Sequence, residues 1–328
     1  MAVKLPTFAD IEAAAAFIAP FALETPLVEH AELNDRLGAR VFLKLETFQR
    51  TGSFKFRGAL NRIGKIAPAD RANGVVAFSS GNHAQGVAAA AALFSIPALI
   101  VMPKDVPTPK LDGTRAYGAE IVFYDRLSDD REAIAQSLCK ERGATLVRPF
   151  DDTYVVAGQG TVGLEIARTA AALGVSLDAV LAPCSGGGLI GGIALAFSVA
   201  SPATRIVSVE PENYDGMRRS LDAGERIAAP GGAPSVADAL MAPIPGKIPF
   251  TIAKSLIRDS LAVGDDELIG AVSYAADRLK LLVEPSGAAG LAALISGRFK
   301  AFDKAVAVVL TGANCDIATI AAACRRTR

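Results

Sequence analysis

The sequence predicts an α/β protein made of two open, mostly parallel, twisted sheets covered by helices. Short β-rich runs alternate with alanine-rich helical stretches almost throughout, and strands joined by helices make parallel βαβ units. A length of 328 residues suits about two domains of ~100–200 residues each, and a hydrophobic content of 51% is enough for a core in both. One compact series of units runs over 75–149 and a longer one over 150–328.

In chain order the expected strands are "RVFLKLE" (40–46), "GVVAFS" (74–79), "ALIVM" (98–102), "EIVFYD" (120–125), "ATLVRPF" (144–150), "DAVLAP" (178–183), "RIVSVEP" (205–211) and "AVAVVLTG" (305–312). Each is a short run rich in branched or aromatic side chains. Helical patterns lie between them, among them "NHAQGVAAAAALF" (82–94), "DDREAIAQSLCKERG" (129–143) and "TVGLEIARTAAALG" (161–174). The first 74 residues are expected to pack with 150–328 as a large domain, leaving 75–149 as a small one. The most apolar stretch, "VAAAAALFSIPALIVM" (87–102), is divided by Ser95 and Pro97, so it reads as a buried helix and strand rather than a membrane span.

Composition removes several classes of partner. The 34 basic and 34 acidic side chains cancel, which leaves no charge bias toward nucleic acid or an anionic membrane. Tryptophan is absent and aromatic residues make up 6%, too few for base-stacking platforms. Cys139, Cys184, Cys315 and Cys324 show no CxxC spacing and read as reduced thiols of a cytoplasmic protein. The N-terminal stretch has Pro6 and no apolar signal core, so no export signal is expected.

Four small-residue loops fall where strands end and helices begin, the place where α/β sheets bind ligands. "SSGNHAQG" (79–86) exposes backbone N–H groups at a helix start, suited to a carboxylate or phosphate, or is a capped turn in which Asn82 and His83 satisfy local groups. "CSGGGLIGG" (184–192) places three consecutive glycines where the backbone can wrap an anion, more than a tight turn alone requires. "LTGANCD" (310–316) presents the Thr311 hydroxyl at a strand end, or uses it as a helix cap. "GQGTVG" (158–163) fits the dinucleotide pattern G-x-G-x-x-G, with Asp178 at the distance of a ribose-binding acid, and it supports an alternative reading as an NAD-binding oxidoreductase. Its context is poor, because "PFDDTYVVA" is not an uninterrupted strand and Asp178 opens a strand instead of closing one. A further oddity is "TGSFKFRG" (51–58), where Lys55 stands between two phenylalanines although lysines are rarely buried.

"SFKFRGA", "SSGNHAQG", "AGQGTVGLE", "CSGGGLIGG", "VEP" and "LTGANCD" together occur in the order and type of one family. The sequence resembles the pyridoxal-phosphate enzymes of the tryptophan-synthase-β type, and among them the serine/threonine dehydratases and serine racemases, over about residues 20–316. The resemblance implies a cofactor held in the cleft between the two domains, on Lys55, with Phe54 against one ring face and Ala239, a glycine in many members, against the other. It implies a phosphate cup of Ser185, Gly186, Gly187, Gly188 and Leu189, Asn82 at the phenolic oxygen, and Thr311 at the pyridine nitrogen. A hydroxyl there moderates the electron sink and suits β-elimination. Lys55 would act as general base, desolvated so that its amine is neutral, and Ser80 matches the second acid/base position of serine racemases. The substrate α-carboxylate would settle on Ser79, Ser80, Gly81, Asn82 and His83.

The implied reaction converts L-threonine or L-serine to a 2-oxo acid and ammonia, in a homodimer. Racemisation of serine and dehydration of 3-hydroxyaspartate to oxaloacetate are the alternatives within the family. The last follows from "LSDDREAI" (127–134), where Arg131 matches an arginine that can reach the ligand and would pair with a second carboxylate. Otherwise Arg131 is an exposed residue on a helix carrying Asp129, Asp130 and Glu132. Racemase-like members also bind Mg2+ or another divalent cation, and Glu210 in "VEPENYDG" fits the first ligand. Gly216 stands where the later acid belongs, with Asp215 one residue earlier, so Glu210 is either a cation ligand or an ordinary hydrogen-bonding carboxylate. Biosynthetic threonine dehydratases continue into a regulatory domain; the match here ends soon after Thr311, and isoleucine feedback through such a domain is not expected.

Overall fold

A computed structural model describes residues 4–106, 108–126 and 128–326. Its strands are β1 (Leu27–Glu29), β2 (Arg40–Leu45), β3 (Val75–Phe78), β4 (Ala98–Pro103), β5 (Glu120–Tyr124), β6 (Thr145–Leu146), β7 (Ala179–Pro183), β8 (Arg205–Pro211), β9 (Asp259–Val263) and β10 (Ala305–Leu310). They form a six-stranded sheet in the order β1-β2-β10-β7-β8-β9 and a four-stranded sheet in the order β5-β4-β3-β6. Only β1 runs antiparallel to its neighbour; the other pairings are parallel. The protein is α/β with two open sheets, as expected.

Helices bury both faces of the larger sheet. Val41, Leu43 and Leu45 of β2, with Val306, Val308 and Leu310 of β10, face helices Asp265–Tyr274, Ala289–Ile295 and Ile317–Arg326. Phe42, Ala307 and Val309 point the other way, toward helices Thr153–Ala172, Gly188–Ala200 and Lys247–Leu256. The two-residue alternation divides each strand between two cores, so a strand buried on both faces reads as one continuous apolar run. In the smaller sheet Val75, Ala77, Ile100 and Met102 share a core with helix Asn82–Leu93 and with Phe56, Ala59, Leu60 and Ile63 of helix Lys55–Gly64. The helix that begins with Lys55 therefore packs on the smaller sheet's side as well as on the larger one's.

The dinucleotide alternative fails here. Asp152 caps the helix Thr153–Ala172 by accepting from the N–H groups of Tyr154 and Val155 at 2.8 and 3.0 Å, which puts "GQGTVG" in the middle of that helix with no strand before it. The glycines serve helix packing. A Cβ on Gly158 would lie 2.7 Å from the Cα of Gly58, and one on Gly163 would lie 2.9 Å from the Cα of Ile193. Asp178 accepts from Ala305 N at 2.8 Å and tethers the start of β7 to the start of β10. No helix among the described residues is long and apolar enough to cross a membrane.

Candidate active site

The loops after β3, β7 and β10 converge with the start of helix Lys55–Gly64 on one cavity. Phe54, Lys55, Ser79, Ser80, Gly81, Asn82, His83, Arg131, Ser185, Gly186, Gly187, Gly188, Leu189, Ala239 and Thr311 all line it. Of the residues expected from the sequence, Glu210 alone lies elsewhere.

Lys55 is placed by the chain on both sides of it. Before it, Phe54 N donates to Thr311 O at 3.1 Å, and Ser53 bridges Gly312. After it, Arg57 is fully buried and donates to both oxygens of Glu46 at 2.8 Å and to those of Glu165 at 2.5 and 2.8 Å. Lys44 also donates to Glu165, at 2.5 Å, which completes a buried network of two cations and two carboxylates. The network pins the first turn of the Lys55 helix to β2 and to helix Thr153–Ala172. Lys55 Nζ sits 5.1 Å from the Phe54 ring centroid and donates to Pro149 O at 3.1 Å. Burial pushes its pKa down to about 8, because the ammonium has lost water with no carboxylate beside it.

The glycine loop offers donors. The amides of Ser185, Gly186 and Gly187 have no protein acceptor among the described residues, and they precede the N-terminus of helix Gly188–Ala200. Free N–H groups at a helix start make an anion site. Packing also demands these glycines: a Cβ on Gly186 would fall 2.2 Å from the Phe150 ring, and Gly187, at φ +91°, would meet Met217 at 2.5 Å. Ser185 Oγ is occupied as the acceptor for Ala242 N, at 3.1 Å.

In the loop after β3, Gly81 N donates to Ser79 Oγ at 3.2 Å, and helix Asn82–Leu93 then begins with the N–H donors of its first turn. His83 Nε2 lies 2.9 Å from Val147 O, so that nitrogen carries the proton, and Nδ1 is left buried without a partner. Burial, helped by nearby Lys55, pushes the His83 pKa down to about 3 and keeps the ring neutral. A substrate carboxylate there can use the His83 backbone N–H but not the ring, whose free nitrogen is an acceptor.

Arg131 opens helix Arg131–Arg142, with its guanidinium 5.7 Å from the Phe78 ring centroid. The neighbouring acids are engaged elsewhere. Asp129 accepts from Asp125 N and Ser128, Asp130 caps the helix, and Glu132 pairs with Arg148. Arg131 therefore has no ion-pair partner among the described residues.

Glu210 lies outside this cavity. It is buried, and its two oxygens accept from Met217 N and Arg218 N at 2.9 and 2.8 Å, making it the cap of helix Gly216–Ala223. Asp215 is taken by Arg218 and Arg219. With Gly216 supplying no side chain, the described residues contain no group of three His, Cys, Asp or Glu able to hold a metal ion. Each Glu210 oxygen thus already accepts one backbone N–H at the start of that helix.

Three charged cavity residues escaped the sequence reading. Lys110, in helix Thr108–Arg115, pairs across the cavity with Asp238. Glu284 is 2% exposed, and burial pushes its pKa up to about 7. "VEP" occurs twice, at 209–211 and 283–285, and the second copy delivers this carboxyl to the cavity, a signal that was available.

A buried, readily neutral lysine beside an aromatic ring, a nest of free amides at a helix start and a hydroxyl at a strand end together suit an aldehyde cofactor carrying a phosphate. The comparisons agree. The family model "Pyridoxal-phosphate dependent enzyme" matches residues 18–312. An "L-threo-3-hydroxyaspartate ammonia-lyase" of Pseudomonas sp is 41% identical over 314 residues, covering 96% of this chain and 97% of that protein. Among solved structures, a T.th. threonine deaminase has a TM-score of 0.89 at 41% identity, covering 95% of this chain and 99% of that one. Maize serine racemase has a TM-score of 0.91 at 35% identity, covering 99% of this chain and 98% of that one. The chain belongs to the pyridoxal-phosphate-dependent enzyme family.

Proposed function

We propose that the protein is an ammonia-lyase that removes water and ammonia from a β-hydroxy amino acid, with 3-hydroxyaspartate as the preferred substrate and oxaloacetate as the product. The observation that carries the preference is Arg131, a guanidinium in the Lys55 cavity with no carboxylate of its own among the described residues. A relative bearing the hydroxyaspartate name supports the same choice. Threonine or serine is the second reading, favoured by the likeness to threonine deaminase, and in it Arg131 has no ligand to bind.

Pyridoxal phosphate, bound on Lys55, supplies an electron sink that weakens the bond between the substrate α-carbon and its proton. The rest falls to the protein. The amides of Ser185–Gly188 would hold the cofactor's phosphate, Phe54 and Ala239 would flank its ring, and Thr311 would offer its hydroxyl to the ring nitrogen. The first-turn amides of helix Asn82–Leu93 hold the α-carboxylate, and Arg131 holds the distal one. Lys55 Nζ, whose charged form burial disfavours, would take the α-proton in its neutral form, and the β-hydroxyl, on receiving a proton, would leave as water. Ser80 stands as the second acid/base group through which some racemisation can occur. Residues 1–74 with 150–328 form the cofactor-holding domain in this reading, and 75–149 form the domain that brings the carboxylate loop and Arg131. We assign no cation to Glu210, and we take the enzyme to be a cytoplasmic homodimer.

The test compares kcat/KM for 3-hydroxyaspartate, threonine and serine in the wild type and in Arg131→Ala. A lost charged hydrogen bond is worth about 10- to 100-fold, and the loss is expected for 3-hydroxyaspartate alone. An equal loss for all three substrates, or none, removes the assignment.

A further inference from the structure

Asn82 does not stand alone in the cavity wall: two residues without a role in the reaction described above grip both ends of its amide. The geometry points to Asn314 as a positioning residue that decides which end of the Asn82 amide faces the cavity, with Glu284 holding the other end. This inference rests on the reading of the Lys55 cavity as the site of reaction.

The polarity begins at a backbone carbonyl. Thr51 O can only accept, so the Asn314 atom 2.7 Å from it is the amide nitrogen, Nδ2. The same nitrogen lies 2.8 Å from Asn82, and its second N–H therefore needs the Asn82 oxygen, Oδ1. Asn82 Nδ2 is thereby placed at the opposite end, where one N–H donates to Glu284 Oε1 at 2.5 Å. Its other N–H remains for a ligand in the cavity that Asn82 lines. One carbonyl thus sets the orientation of the whole chain Thr51–Asn314–Asn82–Glu284. With Asn82 reversed, its nitrogen would face the Asn314 nitrogen and that bond would be lost, while its oxygen would face Glu284, which could keep its bond only as a protonated carboxyl; in a buried site unmade bonds are costly.

The surrounding backbone is shaped around these four residues. Thr51, a β-branched residue, sits at φ +68° in the left-handed region, a conformation that persists only where neighbours over-determine it. Asn314 at its carbonyl, and Ala313 N donating to Gly52 O at 3.0 Å, are two such neighbours. A Cβ on Gly52 would lie 2.6 Å from Asn314 Oδ1, and one on Gly312 would lie 2.6 Å from Glu284 Oε1, so each glycine leaves room for a side chain of the chain. Glu284 Oε2 is buried with no partner. A proton bound to Glu284 can therefore rest on Oε2 while Oε1 goes on accepting from Asn82.

The N–H aimed into the cavity is a donor for an oxygen acceptor of the bound cofactor. Asn314→Asp keeps the shape and replaces the donor with an oxygen, which then opposes both Thr51 O and Asn82 Oδ1. Asn314→Ala removes the donor without reversing its sign. In both variants and the wild type, the measurements are the cofactor's visible absorption and its pH dependence, the dissociation constant for pyridoxal phosphate, kcat and KM, and Tm. The expected result is a shifted band or pH midpoint, cofactor binding about 10-fold weaker, the value of one hydrogen bond, and kcat falling more than KM rises, with Asn314→Asp worse than Asn314→Ala. If Asn314→Asp does not fold, Asn314→Ala carries the same readouts. Wild-type spectrum, pH dependence and cofactor affinity in the folded variants would overturn the inference. A wild type that carries no cofactor on Lys55 would instead refute the reading on which it rests.

Discussion

Arg57→Met should destabilise the protein by an amount that can be worked from the buried ion network. Arg57 and Glu46 are both fully buried, and Glu46 depends on Arg57 for two hydrogen bonds of 2.8 Å. Burial alone would raise the Glu46 pKa, but the guanidinium outweighs it and holds the carboxyl below its usual value. Methionine fills much of the space and leaves that carboxylate uncompensated, with only Thr25 and more distant Lys44 to support it. Removing one partner of a buried pair costs about 3–5 kcal/mol. At about 2.1 cal/mol/K of unfolding entropy per residue, a chain of 328 residues loses about 4–7 °C of Tm. Scanning calorimetry of the cofactor-free variant reads this directly. Adding Glu46→Leu should recover part of the loss, since the stranded charge goes with it. A single variant that melts within about 1 °C of the wild type would show that the network does not secure the first turn of the Lys55 helix.

Two other expectations follow from the same geometry. Lys55 has its pKa lowered by burial to about 8 in the folded state, so the unfolded chain binds the extra proton between pH 8 and its ordinary value of 10.5, and stability of the cofactor-free enzyme should rise with pH across that window. Urea titrations at several pH values should show the rise in wild type and not in Lys55→Met; a rise that persists in the variant belongs to another group. Lys110 and Asp238 form an ion pair across the cavity from connections of different sheets, so Lys110→Met and Asp238→Asn should each lower kcat/KM while the double variant is no worse than either. Additive losses would show that the two side chains act separately.

Much of the sheet was legible because parallel strands buried on both faces are continuous apolar runs, and every expected run contains a strand. β1 and β9 were missed because both are edge strands: the first has three residues and the second is only half-buried. "ATLVRPF" shrinks to Thr145–Leu146, as Pro149 has no N–H with which to extend the pairing. The loops of the site were legible from small and hydroxyl residues at strand ends. What was not legible depends on partners far away in sequence. Arg57 looks like any arginine on a helix until Glu46 and Glu165 are seen beside it. Asn314 reaches Asn82 across 232 positions, and Glu284 reaches it across 202. Glu210 was read from its motif position, and only the fold shows that two backbone amides already claim it.

In the function proposed above, Lys55 is the residue on which pyridoxal phosphate is held. Borohydride reduction of the purified protein followed by peptide mapping tests it most directly. The expected result is a visible absorption band that disappears on reduction, with the cofactor's mass added to the peptide containing Lys55 and to no other. A colourless protein, or a modified peptide that lacks Lys55, would contradict it.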